Sequence, residues 1–231
     1  MGYAYLAFIA LIMVGCTQQE SVSLTQCLHY QAQNMAPQAD QCFQRYILQH
    51  PKDLKAFEGY ITFLRKQNAL DRAQEVIHQA RKAIGENPAI QFLHAKILMD
   101  QQKFVDAEKI LIDLSQQNPN DHAILNCLGI VYDLKNDHAK AQSFYRQAIQ
   151  LAPKQSLYQS NMGLSLIQSG EFRKARTYLE PIKHEVCAQN NLAIVYAQLN
   201  MRGQFNALLK DNYDKSECQH LFHHLKSYSV S

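Results

Sequence analysis

The sequence predicts an all-α fold, a right-handed superhelical solenoid of about six helical hairpins closed by a C-terminal capping helix. Three observations predict it. Alanines recur every 34 residues, at Ala39, Ala73, Ala107, Ala141 and Ala175. Proline keeps the same period twelve residues later, at Pro51, Pro119 and Pro153, with Gly85 filling the slot between. The small residues Ala95, Gly129 and Gly163 stand twelve residues before the last three alanines. A fixed period in this range belongs to arrays whose single unit cannot bury its apolar face, whereas stacked neighbours can. With only 8 Gly and 6 Pro in 231 residues, an all-β sandwich with its many turns is excluded.

The chain divides into residues 1–15, residues 16–22 and residues 23–231. The first segment, MGYAYLAFIALIMVG, has an apolar run from Ala4 to Val14, too short for the roughly 20 residues of a spanning helix. It fits the h-region of a secretory signal. Met13-Val14-Gly15-Cys16 resembles the lipobox of bacterial lipoproteins, which implies cleavage before Cys16 and acylation, palmitate included, of that residue. Met13 stands where Leu is usual, and Met1-Gly2-Tyr3 carries no Lys or Arg; an ordinary cleaved signal is the alternative. Thr17, in place of Asp, implies export to the outer membrane, so residues 16–22 become a lipidated tether.

Within the array, the first repeat is irregular, with Pro37 near the start of its second helix, where proline is tolerated. The most regular copy is DHAILNCLGIVYDLKNDHAKAQSFYRQAIQLAP, Asp121 to Pro153. Its Leu128, Gly129, Tyr132, Ala141, Tyr145, Ala148 and Pro153 resemble the tetratricopeptide repeat (TPR). Gly129 and Ala141 lack bulk, so antiparallel helices approach closely, and Tyr132 and Tyr145 fill the space. Asn136 lies in the turn, where Asn tolerates the left-handed conformation. The next copy keeps Gly163, Gly170, Phe172 and Ala175, but Pro181 cuts its second helix short. The following first helix, NNLAIVYAQL, begins about four residues early, one helical turn removed. Phe205 then replaces the repeat alanine, and a capping helix is expected over Glu217 to Lys226.

Six cysteines in an exported chain invite pairing. With Cys16 lipidated, five remain. Cys27 with Cys42 and Cys187 with Cys218 are the candidate disulfides, each stapling neighbouring helices at one end, with Cys127 reduced between them. The alternative is five buried thiols acting as small hydrophobes. No catalytic motif occurs, and no catalytic residue, metal site or cofactor is expected. His220 and His224 share a helix face, but no further ligands are spaced to complete a zinc site. Net charge of +3 without a basic run gives nucleic-acid binding no electrostatic support.

The TPR resemblance implies a concave groove lined by the first helices. The repeat register places Phe92, Lys96 and Met99, then Asn126, Ile130 and Asp133, then Ser160, Leu164 and Ile167 along it. The mixture suits an amphipathic peptide or an extended tail, with Asn126 to bond backbone and Lys96 or Asp133 to set polarity. Asn161 and Asn191 are read as structural.

Residues 121–213 resemble the TPR lipoprotein of the tight-adherence (Tad, or Flp) pilus assembly system, through LGIVYDLKNDHAKAQSFYRQAIQLAP, NMGLSLIQSGEFRKARTYLEPI and NNLAIVYAQLNM. This implies an outer-membrane lipoprotein facing the periplasm whose partners are proteins of the pilus assembly and secretion machinery, the secretin a candidate among them. Alternatives are a pilotin for a type IV pilus secretin and a subunit of the outer-membrane protein insertion machinery; a zinc hydrolase built on His220 is the reading of another class. Cys16→Ser is expected to leave the protein soluble or uncleaved, measured by membrane fractionation; continued outer-membrane fractionation of that variant contradicts the lipoprotein.

Overall fold

The computed structural model describes residues 22–213 and 215–227. The signal segment 1–15 and Cys16, with the tether to residue 21, lie outside the described residues. Six hairpins follow in order: α1 Leu24–Ala32 with α2 Ala36–Gln49, α3 Leu54–Lys66 with α4 Leu70–Ile84, α5 Pro88–Asp100 with α6 Phe104–Gln117, α7 His122–Leu134 with α8 His138–Leu151, α9 Ser156–Gln168 with α10 Phe172–Leu179, and α11 Val186–Gln198 with α12 Arg202–Leu209. The capping helix, α13, is Lys215–Lys226. The fold is the predicted all-α solenoid.

The turn inside every hairpin is the same device. A residue with positive φ occupies the 34-residue register at Asn34, Asn68, Gln102, Asn136 and Gly170, and four residues early at Asn200. The next residue then donates its N–H back to the first helix, as from Asp137 to the Tyr132 carbonyl at 2.9 Å and from Met201 to the Tyr196 carbonyl at 2.8 Å. This is the Schellman closure, which satisfies carbonyls that a helix end leaves unpaired. Asn suits the site because its short polar side chain tolerates the left-handed region. Several first helices start on a side-chain cap as well, with Asp53, Asn87 and Asp121 each accepting from backbone N–H groups of the first turn.

Small residues then let the helices of a hairpin meet. Ala39, Ala73, Ala107, Ala141 and Ala175 are all fully buried. A Cβ on Gly129 would sit 2.6 Å from Tyr145 Cδ1, and one on Gly163 2.6 Å from Leu179 Cδ2. Tyr145 occupies that space itself and is buried. The core divides at α5, which gives Ile90, Leu93 and Ile97 to the N-terminal cluster and Ala95 and Leu98 to the C-terminal one.

Pro181 acts as expected. Helix α10 stops at Leu179, a 3-10 turn covers Glu180–Ile182, and α11 starts four residues ahead of the 34-residue period. Phe205, in the alanine slot of the last hairpin, is fully buried and meets Phe222 of α13 edge to face with ring centroids 5.1 Å apart. The larger ring thus fills the interface to the cap.

Cys27 of α1 and Cys42 of α2 form a disulfide that closes 15 residues. A link of this length stabilises by about 3 kcal/mol in the chain-entropy picture, and it does so in a hairpin that, among the described residues, has a neighbouring hairpin on one side only. The predicted Cys187–Cys218 link is absent. Cys187 is exposed in the first turn of α11, whose carbonyl there accepts from Ser160 of α9, while Cys218 is buried in α13 with Sγ donating to the Tyr213 carbonyl. Both thiols are therefore free, one exposed on α11 and the other enclosed in α13. Cys127 is free and buried.

Gly129→Ala tests the hairpin spacing. Helix propensity alone would favour alanine by up to about 1 kcal/mol. Overpacking against Tyr145 costs about 1–3 kcal/mol and wins, so the melting temperature is expected to fall. Gly203→Ala, with nothing within 4 Å of the added carbon, is expected to leave it unchanged or raised.

Candidate partner-binding groove

The backbone of each first helix packs on that of the next first helix, whereas no two second helices approach so closely, α2 and α4 being joined only through long side chains, as by the Arg72–Asp40 ion pair at 2.7 Å. Closer spacing on the first-helix side bends the array toward it, so that side is the concave one. The groove floor is built from α3, α5, α7, α9 and α11.

The projected residues divide into two groups. Phe92, Lys96, Met99 and Ile130 are partly exposed and Leu164 is exposed, so these five line the groove. Lys96 lays its ammonium over the Phe92 ring, 4.2 Å from the centroid. Asn126, Ser160 and Ile167 are instead buried, which corrects their placement as open groove residues. Adjacent first helices approach so closely that positions turned toward the neighbour are covered.

Asn126 and Ser160 form a ladder across that approach. Asn161 Nδ2 of α9 donates to Asn126 Oδ1 of α7 at 2.9 Å, and Asn191 Nδ2 of α11 donates to Ser160 Oγ of α9 at 3.3 Å. Ser160 Oγ in turn donates to the Cys187 carbonyl at 2.6 Å. Asn161 and Asn191 therefore join repeats, in keeping with a structural role.

Asp133 has no free carboxylate to set a ligand's polarity. Its Oδ1 accepts from Ser165 Oγ at 2.7 Å and lies 2.8 Å from His138 Nδ1. Tyr145 also hydrogen-bonds to it, and burial first, then this carboxylate, drives the Tyr145 hydroxyl far above the ordinary phenol range. The other displaced groups are likewise tied into the scaffold. Tyr132 is pushed up to about 12 by its bond to Glu108, and Tyr60 to about 12 by burial and then Asp40. Burial pushes the Cys127 thiol up to about 11, which keeps it protonated and inert. His220 and His224 are exposed on α13, and among the described residues no group of three or more His, Cys, Asp or Glu is placed to hold a metal.

Ile194 and Asn190 on α11 also belong to the groove, and the sequence projection missed them. They occupy the Leu164 and Ser160 register once the four-residue contraction is applied. The early start of NNLAIVYAQL was the available signal.

The class of protein is thus a TPR solenoid, an architecture that presents a surface to other proteins. Residues 64–127 and 122–155 match two models of the tetratricopeptide repeat. Anaphase-promoting complex subunit 3 of Schizosaccharomyces pombe is 35% identical over 66 residues, which is 29% of this chain and only 10% of that protein's length. The structure is similar to that of Pseudomonas aeruginosa pilF, with 17% identity, TM-score 0.67, and coverage of 87% of this chain and 95% of that one. It is similar to a chain of the APC/C hetero-tetramer Cut9–Hcn1, with 16% identity, TM-score 0.72, and coverage of 87% and 41%. MamA from Desulfovibrio magneticus gives 14% identity, TM-score 0.56, and coverage of 68% and 89%. At these identities the solved structures speak for the fold alone.

His94 gives the array a pH dependence. It lies between α4 and α5 with Nδ1 3.2 Å from Arg81, and burial, then the Arg81 charge, lower its pKa. The unfolded chain, with His at about 6.5, binds the proton first as pH falls. Stability from this site is therefore full above about pH 6.5 and is lost below it. Melting curves at neutral and mildly acid pH are expected to show a smaller acid loss in His94→Leu than in the unmodified protein.

Proposed function

We propose that this protein is an outer-membrane-anchored, periplasm-facing TPR scaffold for the assembly and secretion of Tad (Flp) pili, which holds a segment of a partner protein in its concave groove. The observation that carries the reading is the Cys27–Cys42 disulfide at the N-terminal end of the array. Such links persist in oxidising compartments and are rare in a reducing cytosol, so the disulfide supports export of the chain. The lipobox-like run ending at Cys16 supplies the anchor in this reading, and only a short tether separates it from α1. The pilus assignment rests on the resemblance of residues 121–213, including the proline that shortens α10.

The activity in this reading is binding. Every displaced titratable group has a structural partner or is simply buried, while the open side chains of the groove are apolar, amide or cationic. Partners are proteins of the pilus machinery, with the secretin first among the candidates, and the membrane is met through the lipid.

A second reading is a pilotin-type lipoprotein that delivers a type IV pilus secretin to the outer membrane. It is favoured by the length of the array, which matches the pilF fold nearly end to end. A role in the outer-membrane insertion machinery is the third.

A deletion strain separates them. Its membranes are fractionated, and the secretin is followed by its location and its detergent-resistant multimer. Normal secretin with pili absent is the result expected of a Tad scaffold acting on export. Loss of the multimer, or its appearance in the inner membrane, makes the protein a pilot of the secretin, and normal pili remove the Tad reading.

A further inference from the structure

The anchored reading leaves open how the array stands on its membrane. We propose that the junction between α2 and α3 docks on the phospholipid surface, with Leu48 entering the headgroup layer and Arg45, Lys52 and Lys55 pairing with lipid phosphates. The inference rests on the lipid anchor at Cys16 and adds a second contact, made by the folded chain itself.

The chain enters the array beside this junction. Cys27 and Cys42 lie level in two antiparallel helices, with Cα atoms 5.2 Å apart. Five residues back from Cys27 is Val22, and five residues on from Cys42 is Ile47, so Val22 stands near the last turn of α2. Val22 and Tyr46 both pack, partly buried, on the N-terminal core cluster. Six residue steps separate Val22 from Cys16, at most about 20 Å of chain. A lipid on Cys16 therefore holds the headgroups within that distance of the junction.

The side chains open at the junction suit such a surface. Leu48 is 81% exposed, more than any other large hydrophobic residue among those described. Arg45, Lys52 and Lys55 are exposed as well, and none is paired with a carboxylate among the described residues. The one acid between residues 45 and 55 is Asp53, which caps α3 and accepts from the Tyr46 hydroxyl at 3.0 Å. The cations are thus left to an outside anion.

The repeat does not account for this set. In the next two junctions the same four positions hold Gln79, Lys82, Glu86 and Ala89, then Asp113, Gln116, Asn120 and Ala123. The fourth junction, with Gln147, Gln150, Lys154 and Leu157, keeps a single cation. Where Leu48 stands, the other three have a polar residue. Only the junction beside the tether combines an open leucine with three cations.

The size of the patch favours lipid over a protein partner. A stable protein interface takes about 20–30 residues from each side, far more than these four. A bilayer asks for no matching shape, and the tether keeps it at high local concentration. Cations are drawn to anionic headgroups over about 8 Å at physiological salt, and the leucine gains by leaving water at the acyl boundary. Because the disulfide ties α1 to α2, the anchor and the patch hold one stapled hairpin, and the rest of the array extends from it.

The test uses the acylated full-length protein in nanodiscs of phosphatidylethanolamine and phosphatidylglycerol, after mass spectrometry has established the acyl group on Cys16. A Cys187→Ser background removes the exposed free thiol, and Leu48→Cys or Val105→Cys then takes an environment-sensitive fluorophore. Val105, 72% exposed in the first turn of α6, lies at the opposite end of the hairpins. Emission from position 48 is expected to shift to the blue and to be quenched by spin-labelled lipid, and emission from position 105 to do neither. The combined Arg45→Glu, Lys52→Glu and Lys55→Glu variant is expected to lose the shift and the quenching, with melting and acylation unchanged. Equal quenching at the two positions, or quenching at position 48 that survives the charge reversal, overturns the proposal. An acylated protein whose position 48 stays unquenched loses this docking alone and leaves the patch to an acidic protein. A protein with no acyl group on Cys16 loses the anchor reading, and the docking with it.

Discussion

Tyr145 lies over Gly129 because no Cβ stands in its way, and that close approach of two antiparallel helices sets the geometry from which the array is copied. Leu179 over Gly163 repeats it one unit on. The fully buried alanines at the 34-residue period do the same from the second helices. The left-handed turn residues hold each pair at the distance these contacts require, since the Schellman bond fixes where the second helix begins. Apolar burial supplies the driving force, but small residues and turn geometry decide what that burial looks like.

Stacking of one hairpin on the next then has two consequences. Apolar side chains form two large clusters, and α5 contributes to both. On the first-helix side, where neighbours come closest, polar residues are drawn into contacts that unite repeats: Asn161 with Asn126, Asn191 with Ser160, and Asp133 with Ser165, Asp133 also meeting His138 within its own hairpin. A buried polar group without a partner would cost about 1–3 kcal/mol, so these bonds are a condition of the close approach. They also narrow the groove to the side chains they leave free. The same irregularity that shortens α10 at Pro181 carries Ile194 into line with Leu164, because α11 is moved up by a full turn.

The ends of the array are secured by different means. In the first hairpin a disulfide ties α1 to α2, where among the described residues a neighbouring hairpin lies on one side only. At the C-terminus Phe205 and Phe222 interlock beneath α13. Cysteine chemistry was legible only in part. The spacing of Cys27 and Cys42 suits one hairpin, whereas Cys187 is exposed on α11 and Cys218 buried in α13, both free, and nothing in their sequence positions reveals this.

Sequence alone determined the repeat, the six hairpins, the early end of α10, the capping helix and the close contact at Gly129. Each of these is local or periodic and depends on residue size, backbone preference or proline. Asn136 and Gly170 announced the turn, and Asn34, Asn68, Gln102 and Asn200 carry the same register. Tertiary structure alone decided which groove positions are open. Asn126 and Ser160 share the register of Phe92, and Asp133 and Ile167 that of Met99, yet the first four are covered or committed to bonds while Phe92 and Met99 remain accessible. The register fixes the direction in which a side chain points, but the distance to the neighbouring helix, a sum of packing contacts far apart in sequence, fixes whether a ligand can still reach it.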